Sequence, residues 1–256
     1  MTTQIRLGSV VPHGVGGPEA GAIDLIYLFL LMEYGQNSYS AIFITQIGDD
    51  LNEVIRKNGK QIYINVRYPA PAGFNLKSDE EKNQIRLDVI HTALLRIAAK
   101  EKKLDIEALE SIKNKILENN FSFYLEYRRY VNKKNKDLTA KLIVHPITSL
   151  FQYYIQIEDQ GKIKCRQLIY NGFTNIFYVD DLFKNGTWKN DTSFIITGVK
   201  KEVEIHVTAE NCSVEYINLT SYEKPPYFEM FRSDITQEER EKAAKNWKDS
   251  LPAWMK

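Results

Sequence analysis

The spacing of apolar positions changes several times along the chain, and each change marks a different kind of element. Residues 4–11, QIRLGSVV, alternate weakly, as a strand does. Residues 20–34 are almost continuously apolar and stop at Gly35. That run suits a helix buried on most sides and is shorter than the roughly 20 residues that cross a bilayer. Two β-branched and aromatic runs follow, SYSAIFITQI and KQIYINVRY; in the second, Ile62, Ile64 and Val66 share a face. RKNGK between them is a turn signal. YPAPAGF, residues 68–74, interrupts regular structure, because Pro69 and Pro71 fix their own φ and restrict the residue before each.

The period then becomes 3.6. Ser78 and Glu81 form a capping box ahead of Ile85, Val89, Leu94, Ile97 and Ala98, which fall near one helix face with the charges elsewhere. Asp105 caps a second helix with Ala108, Leu109, Ile112, Ile116 and Leu117 on one stripe. KKLD between the two predicts an antiparallel helix pair.

After Asn120 the period drops to two. Phe121, Phe123, Leu125 and Tyr127 face one way, and Ser122, Tyr124, Glu126 and Arg128 the other. DLTAKLIV places Leu138, Ala140, Leu142 and Val144 inward. FQYYIQIE and KIKCRQLIY alternate too, joined by a bend at Gly161; this is an antiparallel meander with one wet face. A loop with Asn-Gly at Asn171 and Asn185 precedes a hairpin, SFIITG with EVEIHV, and a last strand, SVEYINL. Pro225 and Pro226 lead to a second capping box, Thr236 with Glu239, and a short C-terminal helix. Helices and strands are segregated, so the expected class is α+β, with an antiparallel meander packed on the helix pair. The organisation reads as a mixed N-terminal segment, residues 1–75, which can belong to the same domain as the rest, and a main part, residues 76–256. No repeat or low-complexity tract occurs.

Composition narrows the function classes. A chain of 256 residues can bury a core without staples. Basic and acidic residues nearly cancel, 34 against 33, which argues against general attraction to nucleic acid or anionic membrane. Cys165 and Cys212 have no metal-binding spacing and read as two thiols in a reducing cytoplasm, although a disulfide between them is possible. The start shows no secretory signal pattern. The sequons at Asn185, Asn190, Asn211 and Asn218 read as polar turn chemistry.

Candidate chemistry is scattered. HGVGGPEAG follows the first strand and opens the first helix, a place where backbone N–H groups can cradle an anion. It matches neither phosphate-loop fingerprint; no Lys-Ser/Thr follows, Pro18 removes a donor and Glu19 repels. The loop, Gly14–Gly17 included, therefore reads as a mobile joint. His91 with Asp88 one turn earlier, or His13, is what a hydrolase or transferase would use; a half-buried, hydrogen-bonded histidine is the plainer account of His91. His145 ends a strand before Pro146, and His206 shares an outer face with Glu204. Asp49–Asp50 and Glu238–Glu239 read as helix-start charges, and Asp180–Asp181 as a turn device. RRYVNKKNKD, residues 128–137, has the lysines and tyrosines of a nucleic-acid contact but reads better as a solvated hairpin tip.

RLDVIHTALLRIAAKEKKLDIEALESIK, FYLEYRRYVNKKNKDLTAKLIVHP and FQYYIQIEDQGKIKCRQLIY resemble immunity proteins encoded beside bacterial polymorphic or contact-dependent toxins, over residues 86–207. The resemblance is one of texture, a helix pair followed by an aromatic meander. It implies a cytoplasmic, non-enzymatic protein that binds one toxin domain, with no catalytic residue, metal or cofactor. The expected function is binding of a protein partner, and the expected contact residues are Tyr124, Arg128, Tyr130, Lys133, Lys134, Tyr154 and Tyr170, on the wet side of the meander.

Overall fold

A computed structural model of the chain describes residues 4–10, 14–16, 20–69, 71–147, 150–172, 183–198, 203–218 and, near the C-terminus, 236, 238–239, 241–242 and 245. The class is α+β. The chain divides into two compact units, residues 1–125 with 146–150, and residues 126–145 with 151–256.

The first unit contains β1 (Gln4–Ser9), α1 (Gly21–Glu33), β2 (Ala41–Ile47), β3 (Ile55–Asn58), β4 (Gln61–Arg67), α2 (Asp79–Glu101) and α3 (Ile106–Glu118). Its sheet runs β1-β2-β4-β3; β1, β2 and β4 are parallel and β3 pairs antiparallel with β4. The central strand β2 carries apolar side chains on both faces, the mark of a covered parallel strand. Helix α1 is buried on most sides, as its composition predicts. It lies against β1, α2 lies against β2 and β4, and α3 packs on α1 and α2. The helix pair thus belongs with the N-terminal strands, and the two compact units meet near residue 125. A parallel sheet needs helices to cover it, and α2 supplies that cover.

Both expected caps are present. Ser78 Oγ accepts from the Glu81 N–H while Glu81 accepts from the Ser78 N–H, and the Asp105 carboxylate accepts from the N–H groups of Glu107 and Ala108. Near the C-terminus the Thr236–Glu239 capping box is formed, and the described residues after it are helical. Asp49–Asp50 do not start a helix; they lie in a turn after β2.

The second unit holds two antiparallel sheets. One is β5-β6-β7-β8, with β5 (Leu125–Val131), β6 (Leu138–Ile147), β7 (Leu150–Asp159) and β8 (Lys162–Gly172). The other runs β12-β11-β10-β9, with β9 (Asn185–Asn190), β10 (Ser193–Thr197), β11 (Val203–Thr208) and β12 (Val214–Asn218). Leu138, Ala140, Leu142 and Val144 of β6 and Phe151, Tyr153, Ile155 and Ile157 of β7 are buried, as their alternation predicts. Tyr153, Tyr170 and Phe183 form one aromatic cluster, and Tyr130, Phe194 and Trp188 a second. The second joins β5 of one sheet to β9 and β10 of the other. Three polar bonds also link the sheets: Tyr216 Oη donates to Ile169 O at 2.6 Å, Trp188 Nε1 to Tyr130 O at 2.8 Å, and Asn132 Nδ2 to Asp191 Oδ1 at 2.9 Å. Cys165 of β8 and Cys212, in the turn after β11, form a disulfide. The two-thiol reading is corrected: neither sequence distance nor composition reveals that two sheet layers bring these positions together. Among the described helices, none is long and apolar enough to cross a membrane.

Candidate functional site

Hairpin meanders place alternate turns at the same end of a sheet, and in the second unit one end collects four of them. The first, residues 132–137, is built around Asn132, whose buried Oδ1 accepts from the Lys134 and Asn135 N–H groups. The second, at residues 159–162, is a tight bend with positive φ at Gln160 and Gly161, the two-residue geometry that suits the strand twist. In the third, Asn190 Oδ1 accepts from the Thr192 N–H and hydroxyl; in the fourth, Asn211 Oδ1 accepts from the Ser213 N–H. Two of the sequon asparagines therefore shape turns, as expected.

Cross-bonds close the four turns into one surface. Gln160 N donates to Asp137 O at 3.0 Å, Asn132 reaches Asp191, Ala209 N donates to Thr192 O at 2.9 Å, and the disulfide anchors the fourth turn to β8. On this end Lys133, Lys134, Lys136, Lys162, Lys164 and Lys189 are exposed. None of the six forms an ion pair among the described residues. Val131 and Ile163, at 48% and 57% exposure, are the large apolar side chains left in water here.

Several cations elsewhere are matched. Across one face of the β5–β8 sheet, Arg166 Nε donates to Gln156 Oε1 at 2.7 Å and Gln156 Nε2 to Glu158 Oε1 at 2.6 Å. Lys141 bridges Glu158 and Glu126 at 2.8 and 3.0 Å, and Arg129 grips Glu126 with two bonds. Although burial opposes it, the two carboxylates hold the Lys141 ammonium above its usual range. The Arg129 guanidinium holds Glu126 below the usual carboxylate range. In the first unit Lys57, Arg96, Lys113 and Lys115 pair with Glu101, Glu53, Asp88 and Glu33.

The seven expected contact residues do not form one face. Lys133 and Lys134 are exposed on the first turn, and Tyr124 is exposed just before β5. Arg128 is half-buried, its guanidinium 5.3 Å from the Tyr127 ring centre. Tyr154 is half-buried, its hydroxyl donating to Gln152. Two are corrected outright. Tyr130 turns inward, ring against Phe194 and hydroxyl donating to Phe183 O at 2.7 Å. Tyr170 is buried in the Tyr153–Phe183 cluster. The alternation slips because Glu126 and Arg129, three residues apart, share a face, and because β8 is bulged opposite Tyr153/Tyr154 and Ile157/Glu158. Lys162, Ile163 and Lys164 add to this end without standing among the expected residues, and the KIK run directly after the Gly161 bend carries the signal: its hairpin tip sits beside the 132–137 tip.

The histidine readings resolve differently. His91 is buried; its Nδ1 lies 2.9 Å from Tyr27 Oη and its Nε2 3.2 Å from Glu110 Oε1, which ties the three helices together. Asp88 is not its partner but pairs with Lys113 at 2.8 Å. Burial lowers the His91 pKa against the opposing pull of Glu110. His206 bonds Glu204 at 2.8 Å, as expected. His13 and Asp180–Asp181 lie outside the described residues. No group of three metal-binding side chains occurs among the described residues.

The described part of the glycine loop is not a mobile joint. Val15 is fully buried; its N–H donates to Gln46 Oε1 at 2.8 Å and its carbonyl accepts from Arg86 Nε at 3.2 Å. A Cβ on Gly14 would meet Ser9 Oγ at 1.8 Å, and one on Gly16 would meet the Gly8 backbone at 2.5 Å. The glycines serve close approach to β1 rather than to a phosphate. Beneath them Arg86, Asn83, Gln46 and Asp24 form a buried polar group. Asp24 Oδ2 accepts from Leu7 N at 3.2 Å, and Oδ1 has no hydrogen-bond partner. Burial pushes the Asp24 carboxyl up to about 7, against the Leu7 bond and the charges of Arg86 and Arg6.

No family model matches this chain, and no curated protein or solved structure shows significant similarity to it.

Proposed function

We propose that the protein is a binding module that grips one protein partner through the four-turn end of its second unit. The observation that carries this reading is the closed ring of turns presenting exposed Val131 and Ile163 among lysines outside ion pairs. Exposed apolar side chains rimmed by charge are the anatomy of an interface. Turns braced by Asn132, Asn190 and Asn211 and tied by a disulfide need little ordering when a partner docks, so little of the contact energy is lost. In the immunity-type form of this reading the partner is a toxin domain whose active site the turns obstruct; the likeness of residues 86–207 to such proteins supports it. A Cys165–Cys212 disulfide persists in an oxidising compartment, so we place the protein there rather than in the cytoplasm.

Photo-cross-linking in the native cell tests the reading. A photoreactive residue at Lys134 or Ile163 is expected to trap one and the same protein, and one at exposed Leu76 of the first unit is expected to trap none. Trapping of unrelated proteins, or equal trapping from Leu76, overturns it.

A further inference from the structure

The four-turn end gathers exposed lysines that form no ion pair among the described residues, whereas Lys141 and Arg129 of the same unit sit beside carboxylates. Lys133, Lys134 and Lys136 come from the first turn, Lys162 and Lys164 from the start of β8, and Lys189 from the end of β9. The exposed carboxylates at this end are fewer: Asp137, Asp159, Asp191 and Glu210. One of these, Asp191, is engaged by Asn132. Successive hairpins of one sheet and the two stacked sheets each lie about 10 Å apart, so lysines on adjacent turns are spaced on the order of the Debye length at physiological salt, roughly 8 Å. Six lysines against four carboxylates leave this end with an excess of positive charge. Folding does not ask for this arrangement: the turns are shaped by asparagines, a glycine and a disulfide, none of which uses a lysine ammonium.

We infer that the four-turn end recognises a carboxylate-rich protein surface, with Val131 and Ile163 meeting an apolar spot inside it. This rests on the protein-binding reading above and names the chemistry of the partner. Nucleic acid shares the negative charge but fits the surface less well. Single strands are held by stacking on aromatic rings, and the tyrosines next to the lysines are committed. Tyr130 packs on Phe194 with its hydroxyl on Phe183 O, and Tyr127 faces the Arg128 guanidinium. The exposed large side chains here are aliphatic, which suits a protein. Strand addition along β8 is disfavoured as well, because the bulges opposite Tyr153/Tyr154 and Ile157/Glu158 break its register.

The test uses the full chain with two probes of equal charge, a short polyglutamate peptide and a single-stranded DNA oligonucleotide, titrated by amide NMR at low salt. The expected result is that polyglutamate shifts the amides of residues 132–137, 160–164 and 189, and binds more tightly than DNA. A Lys133→Glu, Lys134→Glu, Lys162→Glu variant should keep its unfolding midpoint, since all three sites are exposed. It should bind polyglutamate about tenfold or more weakly, the effect of reversing three surface charges. DNA binding as tight as or tighter than polyglutamate overturns the inference in favour of nucleic acid. No binding of polyglutamate, or binding the reversal leaves unchanged, overturns it too; the protein-binding reading is judged separately, by the cross-linked product at residues 134 and 163.

Discussion

Asp24 is a carboxyl at the price of stability above neutral pH. Its folded pKa, about 7, lies above its unfolded value of 3.8, so between those values the folded state holds a proton the unfolded state has lost. Stability contributed by this group is therefore full below pH 3.8 and falls as pH rises to 7, by about 4 kcal/mol at most. Asp24→Asn keeps an acceptor for the Leu7 N–H and removes the titration. Its stability should exceed that of the natural chain at pH 8 and match it near pH 4, followed by the helical far-ultraviolet signal in urea. An equal pH slope in both proteins would contradict the buried placement. His91 acts in the opposite sense: its lowered pKa makes stability fall as pH drops below its unfolded value of 6.5. These environments were only partly legible. The α2 core stripe, extended from Leu94 towards its start at spacings of three and four, runs through Ile90 to both Leu87 and Arg86 and from either to Asn83. Arginine is rarely buried, yet Arg86 is 2% exposed. What keeps it inside is the Val15 carbonyl, a partner supplied by a distant loop that no local pattern announces.

At the scale of elements, the capped and periodic segments declared themselves. Ser78 with Glu81, and Asp105, set the starts of α2 and α3, and period-two runs gave β6, β7, β10, β11 and β12. Strand β9, NGTWKN, shows no period-two apolar run, because a polar sheet-edge strand need bury only one side; Trp188 packs it on Phe194 and bonds Tyr130 O. The parallel pairing of β1, β2 and β4 was equally hidden, since pairing direction follows from the α1 crossover and not from side-chain alternation. The disulfide is the element-level link with the largest consequence. It closes a loop of 47 residues between β8 and the turn after β11. Removing it by the double substitution Cys165→Ser, Cys212→Ser should cost the second unit about 4 kcal/mol, the entropy of freeing such a loop in the unfolded chain. Thermal unfolding followed by near-ultraviolet signal measures this, and thiol alkylation of native cells should find both cysteines blocked. An unchanged midpoint would mean that the Ala209–Thr192 and Asn132–Asp191 bonds alone hold the turns together.

The whole molecule separates two tasks. The first unit buries its polar groups around the Gly14–Gly16 segment and ties its helices through Tyr27, His91 and Glu110. The second is a two-sheet scaffold with one end rich in unmatched lysine. The α+β class was visible in the order of periods, and the tip residues Lys133 and Lys134 were correctly placed in water. Tyr124 is exposed as expected, while Tyr130 and Tyr170 are not, because exposure in a two-layer unit depends on the opposing sheet, which the sequence of one sheet does not describe. The central claim is that Val131 and Ile163, at the four-turn end, touch a protein partner. Its most direct test is the affinity of the full chain for the protein trapped from residues 134 and 163, compared with a Val131→Asp, Ile163→Asp variant. Both side chains are exposed, so the unfolding midpoint should hold while affinity falls about tenfold or more. Equal affinity in the two proteins, with equal midpoints, would contradict the account.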